Sequence, residues 1–164
     1  MESKKEQLIT EVVYQGNHTY EIKKTIDGFK GDKAILIGLY PTVDGDNITK
    51  IDSTQLHLIN HMKEIGLNEV RIMNLYSEVF DRKPTTSQLT YDKENFEYIT
   101  QAVNTAGEYK LIIAYGSSHS SNKTTNTLKK NLIEAISNSK AKDRVYQISS
   151  VRISDKFSGE ILKK

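Results

Sequence analysis

Residues 33–47, KAILIGLYPTVDGDN, hold the feature that constrains the chain most. From Ala34 to Ile37 every residue is apolar, rather than alternate ones, so both faces of this run must be covered. It ends at Gly38, and Pro41 and the polar residues Asp44, Asp46 and Asn47 follow at once. A strand buried on both faces belongs at the centre of an α/β sheet. A polar loop at its carboxyl end lies where such sheets bind ligands. The rest of the chain must then supply neighbouring strands and helices for both faces.

It does so in alternation. Asp52 or Ser53 is placed to cap a helix with apolar positions at Leu56, Ile59, Met62 and Ile65, and Gly66 stops it. VRIMNLYS, 70–77, reads as a second buried strand, leaving it polar at Asn74. Residues 78–94, with Pro84 and several Thr and Ser, read as irregular. Residues 94–106 fit a helix on Phe96, Ile99 and Val103. KLIIAYG, 110–116, is a third buried strand, and the loop SSHSSNKTTN leads to a helix on Leu128, Leu132, Ile133 and Ile136. VYQISSVRIS, 145–154, is the fourth strand or its continuation. Ahead of these, LITEVVY (8–14) and YEIKKTI (19–26) flank Gly16 and Asn17, which suit a reversing turn, so a β-hairpin is expected as an edge ribbon. The pattern predicts an α/β protein. Its form is a three-layer α/β/α sandwich with a four-stranded parallel central sheet plus the N-terminal hairpin, one domain over 1–164.

Composition removes several chemistries. With no Cys there is no disulfide framework, thiolate nucleophile or Cys-based zinc site. A net charge of +2 permits nucleic acid without requiring it. The start, MESKKEQL, lacks an apolar signal-type segment and no run is long enough to span a membrane, so a cytoplasmic protein without a membrane partner is expected. Walker, GxGxxG, HExxH and GxSxG patterns are absent. His57 and His61 share one helix face, but a pair without a third ligand reads as packing or surface residues. No metal and no cofactor are expected.

The ordered runs ILIGLYPTVDGDN, IDSTQLHLINHMKEIGLNEVRIMNLYS and YKLIIAYGSSHSS resemble a bacterial family labelled domain of unknown function 1643. That family is typical of bacterial and mobile-element genomes, including staphylococcal chromosome cassettes. Its pattern is a strand ending in Leu-Asn-Pro-Ser-Thr, an Asp-x-Thr helix start, a strand ending in Asn-Leu and a strand ending in Gly. The resemblance covers residues 33–137. More distantly, the same order is similar to the uracil-DNA glycosylase superfamily. Gly38-Leu39-Tyr40-Pro41 stands at its Gly-x-Asp-Pro or Gly-x-Asn-Pro motif, and Ile72-Met73-Asn74-Leu75 at its second strand end. Tyr115-Gly116-Ser117-Ser118 stands at its third, and Ser149-Ser150-Val151-Arg152-Ile153-Ser154 at its His-Pro-Ser motif.

The distant resemblance implies hydrolysis of the N-glycosidic bond of a deoxyuridine flipped out of DNA. A carboxylate stabilises the oxocarbenium-like sugar and positions water, while a His or backbone N–H stabilises the departing anion. An Asn amide donates to uracil O4 and accepts from N3–H, and cytosine presents the reverse pattern. On this basis Asn74 reads the base, with Gly38, Tyr40, Pro41, Ser117, Ser150 and Arg152 around the substrate. Tyr40 stands where the family acid belongs, so Asp44 or Asp46 takes that role or forms a turn, and Asp52 is a more distant option for it or a helix cap. Ser149 or Ser150 replaces the fourth-strand His, with His119 as a substitute or a solvated loop residue. Arg152, Lys123, Lys129 and Lys130 are candidates for phosphate contacts or a solvated face. The implied partners are uracil-containing DNA, single- or double-stranded, and a DNA-mimicking inhibitor protein. The alternative is a catalytically inactive glycosylase-fold module binding DNA, nucleotide or protein for a mobile genetic element, and a third class processes free nucleotides or nucleosides.

Overall fold

A computed structural model describes residues 1–148 and 161–163. In chain order the elements are β1 (Gln7–Gln15), β2 (His18–Asp27), β3 (Asp32–Gly38), α1 (Ser53–His61), β4 (Leu67–Asn74), α2 (Lys93–Thr105), β5 (Lys110–Ile113), α3 (Lys123–Ser137), β6 (Val145–Ile148) and β7 (Ile161–Lys163). Among the described residues the strands form one seven-stranded sheet of order β1-β2-β4-β3-β5-β6-β7.

The four expected parallel strands are present as β4, β3, β5 and β6. They are not a sheet by themselves, which corrects the predicted architecture. The hairpin is continuous with them, because β2 pairs antiparallel with β4 from Ile22↔Ile72 to Thr25↔Glu69. At the other edge β7 pairs antiparallel with β6. The sheet is therefore mixed. A buried strand such as β4 cannot leave its outer backbone groups unpaired, and the hairpin pairs with them. Arg71 adds a side-chain tie across this seam, its Nε donating to Glu21 Oε1 at 2.7 Å. Of the expected fourth strand, residues 149–154 lie outside the described residues.

The connections explain the layers. From β3 the chain steps through α1 to β4, then reverses through α2 to β5 and continues through α3 to β6. With right-handed crossovers, reversing the direction of travel moves the helices to the opposite face. Packing follows that rule. Leu58 of α1, with Met62 just beyond it, packs against Ala34, Leu36, Val70, Ile72 and Ile112. Ile99 and Val103 of α2 and Leu128, Leu132 and Ile136 of α3 pack against Ile35, Ile37, Met73, Leu111 and Ile113. Alternate residues of the 34–37 run thus enter opposite layers, which is why all are apolar. No helix among the described residues is long and apolar enough to cross a membrane.

One helix face differs from the spacing prediction. Leu56 is 48% exposed, whereas Leu58 is 0% exposed, so the buried stripe of α1 runs through Gln55, Leu58 and on to Met62. Leu56 sits roughly 200° round the helix from Leu58, so only one of them can face the sheet. Similarly, Ile133 of α3 is at the surface while Leu128, Leu132 and Ile136 are buried. Urea unfolding should show Leu58→Ala losing about 2–5 kcal/mol and Leu56→Ala staying within about 0.5 kcal/mol of the parent. A larger loss at Leu56 than at Leu58 would return the predicted face.

Candidate functional site

β3 ends at Gly38 between two parallel neighbours whose outgoing chains run to the opposite face, the position at which such sheets open a crevice. Both neighbours hold the loop that follows. Leu75 N donates to Gly38 O at 3.0 Å, Tyr76 N to Leu39 O at 2.9 Å, and Ala114 N to Ile37 O at 2.8 Å. The hairpin supports the loop from outside, with Thr19 Oγ1 donating to Val43 O at 2.7 Å. Gly45 lies against the Tyr14 ring, leaving no room there for a Cβ.

The loop ends at Asp52, whose extended backbone makes it the N-cap of α1. Asp52 Oδ1 accepts from Gln55 N at 2.7 Å, and Oδ2 accepts from Thr42 Oγ1 at 2.5 Å. Asp52 is thus a cap, as the sequence indicates, and it also clamps loop to helix. Between loop, helix and strand ends lies a cleft of about 250 Å³, lined among others by Gly38, Tyr40, Pro41, Asp52, Gln55, Asn74 and Tyr115.

Asn74 is the last residue of β4 and pairs in register with Gly38. It is 7% exposed. A Cβ on Gly38 would approach Asn74 Oδ1 to 2.5 Å, so the glycine is what lets the amide occupy this corner. Asn95, fully buried on α2, holds the strand end from behind: its Nδ2 donates to Asn74 O at 2.8 Å and to Leu75 O at 3.2 Å.

Aromatic rings form part of the wall. Tyr40 packs on the α2/α3 core and meets His119 edge-on, centroids 6.5 Å apart. His119 has a left-handed backbone, φ 57°, and its Nδ1 pairs with Thr86 Oγ1 at 2.8 Å. The Lys129 ammonium lies 4.8 Å from the centre of the Tyr115 ring and donates to Gly116 O at 3.0 Å, so it is tied to the β5 loop. Burial pushes the Tyr115 phenol above its ordinary pKa. Lys123 and Lys130 are exposed on α3.

Of the residues singled out in the sequence, Gly38, Tyr40, Pro41 and Asn74 come together in the cleft. Asp44 and Asp46 are not brought into it. Asp44 Oδ1 accepts from Asp46 N and Asn47 Nδ2, each at 3.0 Å, which is an Asx turn. Asp46 is exposed. Among the described residues, the carboxylate that does line the cleft is Asp52. Ser117 is exposed, and Ser118 takes its place in the wall. Ser149, Ser150 and Arg152 lie outside the described residues. His61 Nδ1 pairs with Glu64 Oε2 at 2.8 Å, and no group of three or more metal-ligating side chains occurs among the described residues.

Sequence reasoning missed Gln55. It is 1% exposed, lines the cleft, and its Nε2 and Oε1 have no hydrogen-bond partner among the described residues. The signal was the spacing Asp52-x-x-Gln55, a capping pattern in which the Gln side chain would reach back to the cap. Only Gln55 N takes part in the cap; its side chain is left over. Among the described residues the cleft therefore offers two amides, each with a donor and an acceptor, two phenol-bearing rings, one carboxylate and the hydroxyls of Thr42, Ser53, Thr54 and Ser118. That inventory suits a flat, polar ligand with more than one hydrogen-bonding edge.

A family model described as "Protein of unknown function (DUF1643)" matches residues 20–154. No protein of curated function matches the chain, and no solved structure does.

Proposed function

This chain belongs to the DUF1643 family, and from that premise we propose that it is a uracil-DNA-glycosylase-like protein acting on a deoxyuridine flipped into the cleft. Asn74 carries the proposal: its amide lines the cleft opposite a glycine, with a ring wall beside it. Nδ2 donates to uracil O4 and Oδ1 accepts from N3–H, so cytosine meets donor against donor and acceptor against acceptor. Gly38, having no Cβ, leaves room for the amide itself. Tyr40 or Tyr115 stacks on the base.

Hydrolysis needs negative charge near C1′ as the glycosidic bond opens. Among the described residues Asp52 is the carboxylate that lines the cleft, and its two hydrogen bonds fix its direction before the substrate arrives. Water adds to C1′, and the base leaves with the electron pair of the C1′–N1 bond and is then protonated. DNA is the proposed partner, and an acidic, DNA-mimicking protein would compete for the same face.

The test is incubation with an oligonucleotide carrying a single deoxyuridine. The expected result is free uracil and an alkali-labile abasic site, with a deoxycytidine control untouched. Intact oligonucleotide after prolonged incubation would refute hydrolysis. Recognition without cleavage is favoured by one observation: Asp44 and Asp46 are turned into a loop of their own, and Asp52 is engaged as a cap. Salt-sensitive binding of an uncut oligonucleotide would identify that case.

A further inference from the structure

We propose that Gln55 reads the second oxygen of the base, its Nε2 donating to O2 of the uracil whose N3–H and O4 pair with Asn74. This rests on the base-pocket proposal above and adds to it a residue for the side of the base facing the bond that breaks.

The starting observation is an amide without partners. Gln55 is 1% exposed, and neither Nε2 nor Oε1 is hydrogen-bonded among the described residues. Buried polar groups are nearly always paired, and leaving one unpaired costs free energy. Two charged groups nearby are already engaged. Asp52 accepts from Gln55 N and Thr42 Oγ1. Lys24, a buried ammonium of β2 close enough to feel the Asp52 charge, donates to Thr10 Oγ1 at 2.7 Å. Gln55 lines the same cleft as Asn74, so a molecule in that cleft is the partner it lacks.

The chemistry of uracil then assigns the contact. Attached to deoxyribose through N1, the base presents O2, N3–H and O4. One amide can pair with N3–H and O4, and O2 remains, beside N1. When the C1′–N1 bond breaks, its electron pair enters the ring and is shared between O2 and O4. A donor at O2 gains strength as that charge develops. The contact supplies at O2 the anion stabilisation that the superfamily resemblance places on a fourth-strand His.

A cycle of base analogues against variants tests this by calorimetric titration of the intact protein with free uracil, 2-thiouracil and 4-thiouracil. Sulfur is the weaker acceptor, so each analogue weakens one named contact. The parent should bind uracil roughly tenfold more tightly than 2-thiouracil. Gln55→Leu should bind the two alike, with uracil weakened by roughly the same factor. Discrimination against 4-thiouracil should be equal in both proteins, because that contact belongs to Asn74. Gln55→Met, which keeps the length of the side chain and has no donor, serves if the Leu variant does not fold.

A 2-thiouracil penalty that survives in both variants overturns the assignment, as does a parent protein that binds none of the three bases. Uracil release from oligonucleotide is measured alongside. Release with a flat analogue cycle removes Gln55 alone, whereas no release with the cycle intact removes hydrolysis and leaves Gln55 a base reader.

Discussion

Asn74→Ala should lower uracil excision by about 10²–10³-fold, the usual scale for removing a donor aimed at developing charge. The loss should appear chiefly in kcat, since the O4 contact strengthens as the base leaves. Stability should change little. The structural bond at this position is made by the main chain, Asn95 Nδ2 to Asn74 O, and the substitution leaves it in place. Single-turnover release from a deoxyuridine oligonucleotide, with a urea unfolding curve as control, measures both. Undiminished release in a folded variant would take Asn74 out of the pocket.

Gly38→Ala should have nearly the same effect on excision without touching any polar group. The added methyl would sit 2.5 Å from Asn74 Oδ1, too close to be tolerated, and the atom it meets is the end of a side chain that can rotate away. Displacing that amide is cheap for the fold and costly for base reading. Excision should fall by about 10²-fold, while the unfolding midpoint moves by less than about 1 kcal/mol equivalent. The double variant Gly38→Ala/Asn74→Ala should be no worse than Asn74→Ala, because both act through one group. Additive losses would mean that Gly38 matters for some other reason, such as the path of the loop.

The centre of the fold was legible because its signals are local. The runs at 34–37, 70–77 and 110–116 announce buried parallel strands by their apolar residues, and Gly16 with Asn17 announces the hairpin turn. Half of the cleft was legible for the same reason: Gly38, Tyr40, Pro41 and Asn74 sit at strand ends, and strand ends converge. Asp44 and Asp46 show the opposite case. They lie close in sequence to the cleft wall, yet an Asx turn uses Asp44 locally.

Gln55 was hidden for a more instructive reason. Leu56, Ile59, Met62 and Ile65 make a good helical stripe by hydrophobicity, and the true stripe through Leu58 and Met62 includes a glutamine that such a pattern rejects. A polar residue on the buried side of a helix violates binary patterning, and such violations collect at functional sites.

The sequence by itself determined the alternation of strands and helices, the burial of the central run and the loop that leaves it, because periodicity and turn chemistry act between neighbours a few residues apart. Only the tertiary structure decided that the hairpin joins β4, that α1 turns Gln55 inward and that Asp52 shares a cleft with Asn74. Those outcomes depend on which distant backbone edges pair and which helix face packs most closely on the sheet, and that competition among non-local contacts leaves no periodic mark in the chain.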